Sequence, residues 1–107
     1  MSGVTRFRGS VMGMAWQRGS GLGSIEVRVD GVTLRTALRR EIEIGRDEII
    51  RVEIRRIRLP LWWGTNFYFV RGDGKRAGHY FAALRTSALR SALAELGYAV
   101  VDVSTRS

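Results

Sequence analysis

From residue 25 onward, apolar residues recur at every second position. Ile25, Val27 and Val29 alternate with Glu26, Arg28 and Asp30. Ile42 and Ile44 alternate with Glu41 and Glu43, and Ile50, Val52 and Ile54 with Arg51, Glu53 and Arg55. A strand sends successive side chains to opposite faces, so this pattern describes half-buried sheet. A helix built on the same pattern would scatter its apolar residues around the whole cylinder. The chain is therefore expected to be mainly β.

The breaks in the alternation place the turns. Asp30-Gly31 is a two-residue hairpin signal, because a type I′ turn needs positive φ at both positions. Val32, Leu34 and Leu38 continue on the return strand, and Gly45-Arg46-Asp47 turns the chain again. An odd step separates Ile54 from Ile57 and Leu59, which predicts a β-bulge near Arg55-Arg56. Phe67 and Phe69 alternate with Tyr68 and Val70, so both faces of that strand are expected to be covered. Arg71-Gly-Asp-Gly-Lys-Arg76 reads as a glycine-rich turn, with a strand resuming over 78–84. The period then changes. Leu89, Ala92, Leu93 and Leu96 stand at i, i+3, i+4 and i+7, one face of a helix over 86–96. A hydroxyl from Thr86 or Ser87 is expected to cap it, and Gly97 fits a left-handed stop. Tyr98 to Val103 reads as a short last strand. At the other end, 1–16 supply a poorly patterned first strand, and the Gly/Ser-rich residues 17–24 read as a flexible loop.

The hairpin Ile25-Glu-Val-Arg-Val-Asp-Gly-Val-Thr-Leu resembles part of a bacterial pleckstrin-homology-like (PH-like) domain. So do Ile49-Ile-Arg-Val-Glu-Ile, the strand Gly64-Thr-Asn-Phe-Tyr-Phe and the helix Ala88-Leu-Arg-Ser-Ala-Leu-Ala-Glu-Leu-Gly97. The resemblance implies a two-sheet barrel of about seven strands capped by a C-terminal helix. Length makes residues 1–107 a single domain: an N-terminal strand and loop over 1–23, a core over 24–97 of which most carries the PH-like resemblance, and a strand or tail over 98–107. The resemblance brings no ligand motif. PH-like folds host binding of many kinds, so function must be argued from residues.

Composition removes several classes of chemistry. Apolar residues at 45% and charged residues at 26% suit a folded domain rather than a disordered one. Without cysteine there is no disulfide, thiolate metal site or cysteine nucleophile. His79 is the sole histidine. With only Asp73 nearby in sequence it reads as a strand residue rather than a general base. Glu41 and Glu43 could resemble an acid/base pair, but salt bridges to the Arg51, Glu53 and Arg55 row are the plainer reading. No catalytic residues, metal ligands or cofactors are assigned, and a non-enzymatic binding or interaction module is expected.

Eighteen basic residues against ten acidic give a net charge of +8, which favours anionic partners. Seventeen of the eighteen are arginine, a bias that a GC-rich genome also produces. The most unusual segment is Leu59-Pro-Leu-Trp-Trp-Gly64, preceded by Arg55, Arg56 and Arg58. With proline and glycine bracketing the aromatics, it reads as a loop projecting Trp62 and Trp63. The alternative reading packs both indoles in the core. Lys75 and Arg76 form a second cationic candidate, with turn N–H groups able to hold an anion. The expected partners are a protein or a second copy of the chain, or an anionic membrane surface. The alternative is a nucleic-acid-binding small β-barrel stacking bases on aromatic rings. No apolar run reaches membrane-spanning length and no secretory signal is evident. The expectation is a cytoplasmic protein that can associate peripherally with the inner face of the membrane.

Overall fold

The computed structural model describes residues 5–13, 21–36, 41–59, 62–83 and 86–103, with side chains at all of these except 21 and 57–63. The elements are β1 (Thr5–Gly13), β2 (Gly21–Arg28), β3 (Gly31–Thr36), β4 (Glu41–Gly45), β5 (Ile49–Leu59), β6 (Trp62–Arg71), β7 (His79–Ala83), α1 (Ser87–Glu95) and β8 (Val100–Asp102). The strands form one sheet in the order β4-β3-β2-β1-β7-β6-β5-β8. Every pairing is antiparallel except β8 on β5. The expected two sheets are thus a single sheet, because β1 pairs with both β2 and β7.

The mainly β reading and the closing helix are both observed. One sheet face carries Val11, Ile25, Val27, Val32, Leu34, Val52, Ile54, Phe67, Phe69 and Phe81 into the core. Leu89 and Leu93 of α1 are buried against this core, as the helical stripe requires. Both faces of β6 are covered, since Tyr68 and Val70 are buried as well as Phe67 and Phe69.

Several local expectations move. Residues 21–24 are not loop, because Gly21–Ser24 pair with β1. The reason is close approach. Gly23 lies opposite Gly9, and a Cβ on Gly23 would stand 1.9 Å from the Arg35 carbonyl oxygen. A Cβ on Gly9 would stand 2.5 Å from both the Ala82 oxygen and Phe81 Cζ. The first hairpin turns at Val29-Asp30, one residue early. Arg28 pairs with Gly31, and Val29 is exposed rather than in the core. The bulge lies between Ile49 and Arg51, not at Arg55-Arg56. Ile50 is the extra residue: Ile49 and Val52 are buried while Ile50 is exposed. From Arg51 to Leu59 the ladder to β6 then runs unbroken.

At the start of α1, Thr86 is the N-cap but makes no side-chain capping bond. The stop is as expected. Gly97 has φ 87°, its N–H donates to Ala94, and the N–H of Tyr98 donates to Leu93, the paired bonds of a Schellman motif. Just beyond, the Tyr98 hydroxyl donates to the Arg28 carbonyl at 2.7 Å. The Arg46 guanidinium stacks 4.0 Å from the Tyr98 ring and donates to the Leu96 carbonyl. This latch ties the helix end to the first hairpin.

Candidate functional site

The tryptophans do not stand on an irregular loop. Arg58 pairs with Trp63 and Leu59 with Trp62, so both indoles belong to regular strand backbone. Whether they pack or project falls outside the described side chains. The β5–β6 hairpin also outruns its neighbours. β8 pairs with β5 only over Val52–Ile54, and β7 pairs with β6 only over Thr65–Phe67. Among the described residues, the rungs from Ile57–Gly64 to Leu59–Trp62 therefore pair only with each other. Consecutive strand residues face opposite ways. Arg55, opposite Asn66, and Arg56, opposite Thr65, thus leave the hairpin on its two different faces. Arg55 is half-buried and Arg56 exposed.

Elsewhere the cations are largely engaged. Glu26, buried on the polar face of the sheet, accepts from Arg6 at 2.9 Å, Arg35 at 2.7 Å and Arg28 at 3.3 Å. The Arg6 bond, reinforced by Arg35 and Arg28, holds its carboxyl below the ordinary value despite burial. Arg28 also reaches Asp30 and Glu43, and Arg35 reaches Glu41. Glu41 and Glu43 are therefore partnered by β3 and β2. The expected cross-strand pairing with the Arg51–Arg55 row does not form, because β4 pairs with β3 at one edge of the sheet while β5 lies between β6 and β8. Glu53 accepts from Arg51 at 3.0 Å and from two nitrogens of Arg76, with Arg51 the main cause of its lowered pKa. Arg71 pairs with Glu48, and Arg90 with Asp102. Between Glu53 and Asp73 the sequence has no carboxylate at all.

Lys75 and Arg76 do not join the hairpin arginines. Their turn follows Arg71 at the other end of β6, five to eight residues past the partners of Arg55 and Arg58, or about 17–26 Å at ~3.3 Å per residue; the Arg76 side chain alone reaches back, to Glu53. Arg76 is occupied by Glu53 and stacks 4.0 Å from the Tyr68 ring. Three of the turn's N–H groups are occupied: Arg71 donates to Lys75, Gly74 to Arg71, and Lys75 to the Asp73 side chain at 2.9 Å. Of the two candidates, Lys75 is exposed and Arg76 half-buried.

His79 opens β7 and lines a shallow cleft of about 160 Å³ with Glu43, Glu48 and Arg71. Sequence reasoning missed both carboxylates, which arrive from β4 and the short 3-10 turn Arg46–Glu48. The cleft is smaller than the ~300 Å³ at which small-molecule sites begin. No three metal-ligating side chains converge among the described residues. No helix among them is long and apolar enough to cross a membrane. The Glu26 cluster was also missed. Its signal was available in the alternating polar row Glu26, Arg28, Thr33 and Arg35 across the first hairpin.

No protein-family model matches the chain, and no curated protein matches it in sequence.

Proposed function

We propose that the chain is a non-catalytic binding module of PH-like architecture that engages an anionic partner through the β5–β6 hairpin. Seven strands paired antiparallel in one sheet, sharing a core with the helix that follows them, support the architectural part. The functional part rests on one observation. The described carboxylates are concentrated in ion pairs, while the stretch from Arg55 to Arg58 carries three arginines and no acid, Arg55 and Arg56 at the margin of the sheet and Arg58 on the rungs beyond it. Asp102, whose carboxyl Arg90 and, to a lesser degree, Arg56 hold below its ordinary value, offsets part of this charge; the remaining cationic excess attracts anions at long range and loses that attraction as salt screens it.

Retention on heparin, read as the salt needed for elution, tests this. Replacing Arg55, Arg56 and Arg58 together with Gln should lower the eluting salt clearly. Lys75→Gln at the opposite end of β6 serves as the control and should lower it little. Equal displacement per charge removed at the two ends would mean that net charge alone governs retention, and the hairpin assignment would fail.

A further inference from the structure

Building on the hairpin reading, we infer that its partner is an anionic lipid surface, which the end of the β5–β6 hairpin enters. Two features of the backbone favour this over a nucleic acid. The first is the order of residues along the hairpin. Its last rung is Leu59–Trp62 and the next is Arg58–Trp63, whereas Arg56 and Arg55 lie three and four rungs back. At ~3.3 Å per residue, apolar residues lead and the cations follow within about 13 Å. A bilayer presents the same sequence in depth. Indoles settle at the boundary between hydrocarbon and headgroups, and arginines reach back toward the phosphates.

The second feature is that Arg55 and Arg56 leave opposite faces of the strand. A nucleic-acid strand lying on a protein surface meets one face of a ribbon. A headgroup layer surrounds an entering hairpin and meets both. The same geometry disfavours a second copy as the occupant, because hairpin against hairpin would bring arginine against arginine.

Co-sedimentation with vesicles provides the test. Vesicles of neutral phosphatidylcholine are compared with vesicles containing phosphatidylglycerol, and a DNA oligonucleotide is titrated in parallel. The wild type should bind anionic vesicles at low salt and neutral vesicles weakly. Each arginine near an anionic surface strengthens binding roughly fivefold. Changing Arg55, Arg56 and Arg58 to Gln should therefore weaken it about a hundredfold, most of all at low salt. Trp62→Ala with Trp63→Ala should weaken it at every salt concentration. Should the alanine changes unfold the chain, lipid quenching on the intact protein still decides. Acyl chains brominated near the headgroup should quench wild-type tryptophan fluorescence, and Trp62→Phe with Trp63→Phe should remove that quenched component while keeping binding. Binding without quenching would overturn insertion. Binding to DNA and heparin but not to vesicles would overturn the lipid assignment and leave the hairpin reading standing. Binding to none of the three would overturn both.

Discussion

Gly23 illustrates what a missing side chain contributes. Its Cα lies so close to β3 that a single added carbon would overlap the Arg35 carbonyl. That oxygen belongs to the backbone, so nothing flexible can move aside. Gly23→Ala should therefore cost about 1–3 kcal/mol, the range for overpacking a tight site. Urea denaturation would measure it, and an unchanged midpoint would mean that the two strands do not approach so closely. Gly72, beside which a Cβ would meet nothing within 4 Å, makes a useful comparison and should tolerate alanine with little loss.

The helix is the element whose role follows most directly from its sequence. Leu89 and Leu93 are both essentially inaccessible to solvent, as the i, i+4 spacing requires. Leu93→Ala should cost about 2–5 kcal/mol through lost burial and the cavity left behind. A loss well under this range in urea titration would mean that the helix does not seal the core. The strands were legible for the same reason: period-2 alternation follows from a half-buried sheet. What escaped was anything decided by spatial neighbours. Glu41 and Glu43 have a local pattern that names no partner, and only the strand order sends them to Arg35 and Arg28. The odd step after Ile54 suggested a bulge, yet the extra residue is Ile50, where an exposed isoleucine imitates a core position. Gly21–Ser24 read as loop because glycine signals flexibility and close packing alike. For the candidate site, residue types were legible, while the separation of Lys75 from the arginines depended on the length and direction of β6.

At the scale of the whole molecule, the ion pairs give stability a direction in pH. Glu26, Glu53 and Asp102 are all held below their ordinary values, mainly by hydrogen bonds from Arg6, Arg51 and Arg90 respectively. Near neutrality these carboxyls are ionised in both folded and unfolded chains, so their contribution is constant. As pH falls below the ordinary glutamate value of 4.5, the unfolded chain takes up protons first and the folded state loses its advantage. Urea midpoints should be flat from pH 7 to about 5 and drop below about 4.5. A midpoint that rises on acidification would contradict these pairings. The Tyr98 latch has a consequence in time rather than in energy. It joins residues 70 positions apart, and the β1–β7 pairing of Val11 with Phe81 spans the same separation. Closing such long loops precedes any gain from the contacts themselves, so a fold of this topology should form in milliseconds to seconds rather than microseconds. Stopped-flow refolding would report that rate. Until the seam closes, β1 and β7 each carry an unpaired side that another copy can occupy, so crowded refolding is the condition in which this chain is most exposed to exchanging strands with its neighbours.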